Sequence, residues 1–144
     1  MFGNDRRQMR RFFTDAWRKQ KNGSPMEPME KVIAHIIQQH PEYHGMLEQE
    51  DIALNKDFLP EAGEINPFLH ISMHIGLQEQ ISVDRPHGIT AAYKELIMGK
   101  GDAHTAEHMM MECLGQMLWE AQRNNQTPDE HAYLECIKNL MRSN

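Results

Sequence analysis

The sequence predicts an all-α protein: a single compact helical bundle of four or five substantial helices with short helical segments between them. Apolar residues recur at three- and four-residue spacing in several long segments, and no segment shows the strict alternation that is typical of a β-strand. Clusters of proline, glycine and asparagine separate these segments. With 144 residues, 40% of them hydrophobic and 25% charged, the chain has the size and composition of one domain. We therefore expect residues 1–144 to form a single helical domain.

The first part of the chain contains two predicted helices. A basic amphipathic first helix is predicted within residues 1–21, and a cluster of Asn, Gly, Ser and Pro ends it. The second helix is predicted over residues 28–39, and a helical turn or two is expected within residues 41–54. Residues 56–65 are predicted to form a loop. The apolar face of the first helix is expected to consist of Met9, Phe12, Phe13, Ala16 and Trp17.

A third long helix is predicted to begin after Asn66. This residue is a capping type, and Pro67 follows it at the first helical position, where a missing N–H is no loss. The helix is expected to end near residue 83, and a shorter helix is predicted over residues 90–98.

Two further helices complete the prediction. Asp102 is expected to cap a long helix that ends near residue 123. Thr127 is predicted as the N-cap of a last helix that reaches residue 141, because a proline and a capping-box glutamate follow it.

The charge of the chain is unevenly distributed. Residues 1–21 carry seven Lys or Arg and two acidic residues, a net charge of +5, whereas residues 22–144 carry a net charge of −11. An acidic body disfavours broad binding of nucleic acid, but a basic first helix can contact an acidic protein, an RNA backbone or an anionic lipid surface. The alternative is that this helix packs within the fold. The residues expected to contact such a partner are Arg6, Arg7, Arg10, Arg11 and Trp17.

The chain has no predicted transmembrane segment and no signal-peptide pattern, so we expect a cytoplasmic protein. Its two cysteines, Cys113 and Cys136, lie at apolar positions of predicted helices without Cys-x-x-Cys spacing. We therefore expect buried, reduced thiols. The sequence contains no nucleophile elbow, phosphate-binding loop or dinucleotide-binding fingerprint.

Two His-x-x-x-His pairs are the clearest indication of chemistry. His70 and His74 lie in one predicted helix, and His104 and His108 lie in another. Residues four apart stack on one face of a helix, so each pair directs two imidazoles the same way, as a transition metal requires of helix-borne ligands.

A carboxylate accompanies the second pair. Glu107 falls inside the apolar stripe of its helix, and burial of an unpaired carboxylate is costly, so a metal ion or a histidine partner is expected. If the two helices are antiparallel neighbours, their side chains converge on one ion, to which His44 could add a ligand. The predicted ligand set is His70, His74, Glu107, His108, His104 and His44.

Imidazole and carboxylate ligands serve several first-row ions, of which zinc or iron is expected. In a catalytic site, an open coordination position would hold a water of lowered pKa, with Glu107 as base rather than ligand. No catalytic residue is assigned. The alternatives are a metal-free His–Glu hydrogen-bond network and histidines that share no role. His35, His40, His87 and His131 are expected to be surface or capping residues.

Five strings carry a family resemblance: HPEYH (residues 40–44), NPFLHISMH (66–74), DRPHGI (84–89), EHMMMECL (107–114) and MLWEAQR (117–123). They resemble a family of small proteobacterial proteins catalogued only as a domain of unknown function. The resemblance covers most of the chain and implies a bacterial origin, without an activity.

A weaker resemblance links the chain to hemerythrin-like metal-binding bundles. His70-x-x-x-His74 and His108-x-x-x-Glu112 are similar to two ligand pairs of that family, whereas its His-x-x-x-x-Asp motif is absent here. On a helical wheel Glu112 points away from the apolar stripe.

Overall fold

The fold is described by a computed structural model, which covers residues 2–59 and 66–142, with side chains of the first helix from residue 6 onward. These ranges contain eight α-helices and one 3-10 turn at Pro41–Tyr43, and no strand occurs within them. The prediction of an all-α fold is confirmed. The helices are α1 (Phe2–Asn22), α2 (Pro28–Gln38), α3 (His44–Leu47), α4 (Glu50–Asn55), α5 (Pro67–Val83), α6 (Ile89–Lys100), α7 (Ala103–Arg123) and α8 (Glu130–Leu140).

The chain divides into two compact units, Met1–Ser72 and Met73–Asn144, and the boundary falls within α5. The expectation of a single domain stays a prediction. Within the described residues, no helix combines the length and the apolar character needed to cross a membrane. The predicted loop at 56–65 is irregular from residue 56 to 59, and its remainder lies outside the described residues.

In the first unit, α1 packs against α2 and α4. Phe13, Ala16 and Trp17 are buried as expected, but Met9 and Phe12 are each 41% exposed, so their assignment to the core was wrong. The buried face instead includes Arg10 and Thr14. These residues lie seven and three positions before Trp17, and this spacing places them on the same side of the helix. The other main core residues of this unit are Ile33, Ala34, Ile36, Ile37, Leu47, Ala53, Leu54, Phe68 and Ile71.

Arg10 is 2% exposed, although a cation is costly to bury. Its guanidinium donates hydrogen bonds to the carbonyls of Ala53, at 3.2 Å, and Lys56, at 2.7 Å. It also lies over the rings of Phe68, at 4.8 Å, and Phe58, at 5.5 Å. Arginine suits such a position because its planar, weakly hydrated group stacks on rings and donates in several directions. Burial, assisted by the neighbouring Arg6, lowers the pKa of Arg10.

The remaining basic residues of α1 also contact their own unit. Arg6 pairs with Asp57 at 2.8 Å, Arg7 donates to the side chain of Asn55, and Arg11 pairs with Glu50 at 2.9 Å. Trp17 donates through Nε1 to Glu48 at 3.2 Å. All five residues that the sequence assigned to an external partner therefore have internal contacts, while binding of such a partner stays a prediction.

The second unit contains the end of α5 with α6, α7 and α8. Its buried cluster includes Leu77, Ile89, Ala92, Leu96, Ala106, Met110, Met111, Cys113, Leu114, Met117, Tyr133 and Ile137.

Two predictions about the second unit were wrong. Helix α8 begins at Glu130, and Asp129 caps it by accepting from the backbone N–H of Ala132 at 3.0 Å, so Thr127 is not the cap. Cys113 and Cys136 form a disulfide rather than two reduced thiols. Their pairing depends on contact between α7 and α8, which local sequence does not reveal.

Candidate metal centre

Helix α5 provides a histidine to each unit. It begins at Pro67, and Asn66 Oδ1 accepts from the backbone N–H of Phe68 at 2.9 Å, as a capping residue does. His70 and His74 follow one turn apart on this helix. Because the boundary between the units falls between these two residues, the surroundings of each are described within its own unit.

In the second unit, His74 is almost fully buried, with 1% of its surface exposed. Its Nδ1 lies 3.3 Å from Oε1 of Glu107, and its Nε2 lies 3.1 Å from Nε2 of His108. An ionised carboxylate only accepts, so the proton of a neutral His74 resides on Nδ1. The lone pair of Nε2 then points toward His108. Metal-binding histidines typically have this arrangement, with a carboxylate behind the ring.

Glu107 is held by three donors within this unit. His74 and Gln78 contact Oε1 at 3.3 and 3.4 Å, and the Tyr93 hydroxyl donates to Oε2 at 3.1 Å. Burial raises the pKa of Glu107, but these hydrogen bonds outweigh it and the net pKa is lowered. Burial, together with the Glu107 charge, raises the pKa of Tyr93 to about 12. Tyr93 therefore stays a donor, and Glu107 stays a carboxylate.

His104 lies beside the same group. Its ring centroid is 4.1 Å from that of His108 and 6.0 Å from that of His74. Four of the six predicted site residues are thus brought together within the second unit: His74, His104, Glu107 and His108.

In the first unit, His70 faces a residue that the sequence did not single out. Nε2 of His70 lies 3.2 Å from Nε2 of His40. His40 is the N-cap residue of the 3-10 turn, a capping position as expected, but it is 1% exposed, so the expectation of a surface position was wrong. His40 Nδ1 lies 2.8 Å from the carbonyl of Ile36 and must donate to it. The Nε2 lone pair of neutral His40 then points toward His70. One signal was present: His40 follows Ile36 by four residues and so extends the buried stripe of α2.

His44 is not brought to this pair. Its Nε2 donates to the carbonyl of Ile37 at 2.8 Å, and its ring stacks on Trp17 with centroids 4.3 Å apart. Glu112, which the hemerythrin comparison paired with His108, is exposed on α7. His87 is 99% exposed and pairs with Asp84 at 3.0 Å.

The spacing within each histidine pair suits metal coordination. Two nitrogen ligands at 2.0–2.1 Å from a tetrahedral ion are about 3.3 Å apart. The Nε2–Nε2 distances are 3.2 Å for His40 with His70 and 3.1 Å for His74 with His108. Each of these four histidines offers a ring nitrogen that could hold a metal ion.

Comparison with known families adds one finding. Residues 5–139 match the family model described as Domain of unknown function (DUF1841). The chain belongs to this family. All nine histidines of the sequence lie within the matched range of DUF1841. The resemblance to an unknown-function family is thereby confirmed, while the DUF1841 match supports nothing about hemerythrin. No curated protein and no solved structure matches the chain.

Proposed function

We propose that this protein binds a transition-metal ion through imidazole nitrogens of α5 and α7. The proposed ligands are His74 and His108, with His104 from the preceding turn of α7. The observation that carries the proposal is the 3.1 Å separation of the Nε2 atoms of His74 and His108, behind which Glu107 orients the His74 ring. A carboxylate behind the ring fixes the tautomer in which Nε2 of His74 has the lone pair, as is typical of metal-binding histidines.

Glu107 has a different role here from the one its sequence position suggested. Both of its oxygens accept hydrogen bonds, from His74 and Gln78 at Oε1 and from Tyr93 at Oε2. These contacts favour an orienting group over a direct ligand. They also disfavour a general base, because a base needs an oxygen directed at a water or substrate.

Nitrogen-rich coordination suits zinc or iron, and we propose one of these as the bound ion. The proposal assigns no reaction. A bacterial source and a cytoplasmic location are part of it and rest on the sequence patterns alone.

Elemental analysis by plasma mass spectrometry tests the proposal. Untagged protein from cells grown with added zinc and iron should contain near-stoichiometric metal. His74→Ala and His108→Ala should remove most of it, whereas the exposed controls His35→Ala and His87→Ala should retain it. Circular dichroism establishes that each variant is folded. Folded wild-type protein that stays metal-free after dialysis against zinc or ferrous iron would overturn the proposal.

The pair in the first unit is tested separately. His40→Ala and His70→Ala are compared with the control His44→Ala. Nε2 of His44 donates to the carbonyl of Ile37, so this nitrogen is not expected to bind a metal ion. Loss of metal from the His40 and His70 variants alone would assign these two residues to metal binding. Full retention in all three variants would restrict the ligands to the second unit.

The alternative is a metal-free interaction module that binds an acidic protein or an RNA through α1. The contacts of α1 within its own unit support internal packing instead. Two variants separate internal packing of α1 from binding of a partner: the single variant Arg11→Glu and the double variant Arg11→Glu/Glu50→Arg. The double variant restores the internal pair, so a persistent loss of partner capture in it would support the alternative.

A further inference from the structure

We propose that the Cys113–Cys136 disulfide is a site of thiol–disulfide exchange, at which a small cationic thiol attacks Cys136 from an open groove between α7 and α8. This inference is independent of the metal site. It combines the disulfide, the groove beside it and the charge of the groove walls.

The groove lies within the second unit and has a volume of about 590 Å³. Both half-cystines are part of its lining, together with Met117, Tyr133 and Leu140 as apolar neighbours. A cavity of this size accommodates a small organic molecule. A disulfide in the lining of a groove, unlike one enclosed in a core, is accessible to an attacking thiolate.

The two sulfur-bearing residues differ in exposure. Cys113 is 3% exposed and belongs to the buried cluster, whereas Cys136 is half-buried. Exchange depends on access of the attacking thiolate to one of the two sulfur atoms. Cys136 is therefore the expected point of attack, and Cys113 is the expected leaving group.

The walls of the groove favour a cationic reagent. Three carboxylates line it, from Glu120, Asp129 and Glu135, and the lining contains no Lys or Arg among the described residues. Outside the lining, Arg142 donates to the lining residue Asn139 at 3.4 Å. The three carboxylates of the lining therefore repel a thiolate that carries a second negative charge, whereas a thiolate that also carries an ammonium group has no net charge and is not repelled.

The reaction is balanced by two equivalents of the thiol. A first thiolate attacks Sγ of Cys136, forms a new S–S bond to it and breaks its bond to Sγ of Cys113, which leaves as a thiolate and takes up a proton. A second thiolate attacks the sulfur of the first reagent in this mixed disulfide and releases Cys136 as a thiolate. The small thiol is oxidised to its disulfide, and the protein disulfide is reduced to two thiols.

A comparison of three small thiols tests the charge preference on the full-length protein. Cysteamine, 2-mercaptoethanol and 3-mercaptopropionate are applied at equal thiolate concentration, and quenched samples are followed by intact mass. We expect cysteamine to react about three- to tenfold faster than 3-mercaptopropionate, with a smaller ratio at high salt. The double variant Glu120→Gln/Glu135→Gln should reduce the ratio of the cysteamine rate to the 3-mercaptopropionate rate. The control Glu95→Gln, on α6 and outside the groove lining, should leave this ratio unchanged. Equal rates for the three thiols would overturn the charge preference.

Single-cysteine variants test the site of attack. Cystamine should label Cys136 in Cys113→Ser and leave Cys113 unlabelled in folded Cys136→Ser. Preferential labelling of Cys113 would contradict the proposal. Wild-type protein that keeps two free thiols after treatment with a mild oxidant would also contradict the proposal. Intact mass detects this outcome, since the disulfide form is lighter by two hydrogens.

Discussion

Nδ1 of His74 lies 3.3 Å from Oε1 of Glu107, so a histidine of α5 donates to a carboxylate of α7 within the second unit. The contact fixes which nitrogen of His74 has the lone pair. A carboxylate can occupy the apolar stripe of α7 because three side chains replace the water that Glu107 loses on burial. These donors are His74, Gln78 and Tyr93.

Replacement of Glu107 should weaken metal binding without removing a ligand. We expect Glu107→Gln to lower the affinity for zinc about 10- to 100-fold, because groups behind a ligating histidine contribute to affinity on this scale. Competition with a chromophoric chelator measures the change. Glu112→Gln, on an exposed position of the same helix, is the matched control. Equal zinc affinities of the Glu107→Gln variant and the wild-type protein would argue against an orienting role.

Replacement of Arg10 should destabilise the protein although the residue is charged. Arg10→Met keeps much of the apolar stem but loses the hydrogen bonds to the carbonyls of Ala53 and Lys56. We expect the free energy of unfolding to fall by about 2–3 kcal/mol, since hydrogen bonds from charged groups contribute on this order. Urea denaturation followed by circular dichroism measures it. The exposed Arg18→Met should change stability by about 0.5 kcal/mol or less.

The ion pair of Glu30 should make stability depend on pH. A hydrogen bond from Lys19, at 2.7 Å, and one from the backbone N–H of Glu27 lower the pKa of Glu30 below its usual 4.5. The folded state therefore favours the carboxylate. Its contribution is present above pH 4.5 and is lost as the pH falls through the lowered pKa.

Glu30→Gln measures this contribution directly. The difference in melting temperature between wild type and variant should be constant above the usual pKa of a glutamate and should shrink in more acidic solution. Glu95→Gln, at an exposed position of α6, should produce no such trend. A wild-type advantage that grows on acidification would contradict the prediction.

The start of α8 provides a direct comparison of two capping candidates. Asp129→Ala should lower the free energy of unfolding by about 1 kcal/mol, because Asp129 accepts from the backbone N–H of Ala132. Thr127→Ala should have little effect, since Thr127 precedes the helix and is exposed. Thermal denaturation of both variants under the same conditions measures the difference. A larger loss for the Thr127 variant would restore the original assignment.

The helices could be predicted because their signals are local. Apolar spacing and breaks predicted α2, α5 and α7 to within about two residues, the usual uncertainty of helix ends. The cap of α8 was misplaced because Thr127 and Asp129 are both good capping residues, and the pattern of a proline and a glutamate after Thr127 favoured the wrong one.

The site was harder to predict because its contacts connect distant parts of the chain. Helical periodicity was enough to indicate that His74 and Glu107 occupy apolar faces. It could not show that His40 is buried against His70, or that Arg10 satisfies its charge on carbonyls more than forty residues later. The disulfide is a further case, since 23 residues separate its cysteines and their pairing is determined by the packing of α7 and α8.

Helix α5 has a consequence for how this chain can be divided. The boundary between the two compact units cuts the helix after Ser72, between His70 and His74. A gene divided there would leave each half with a piece of α5 shorter than the about 12–15 residues that a helix needs to be stable alone, so each piece would depend on packing against its own unit. An insertion near Ser72 would therefore shift buried residues on both sides of it, Ile71 in the first unit and Leu77 in the second, whereas an insertion at either end of α5 would leave this spacing intact.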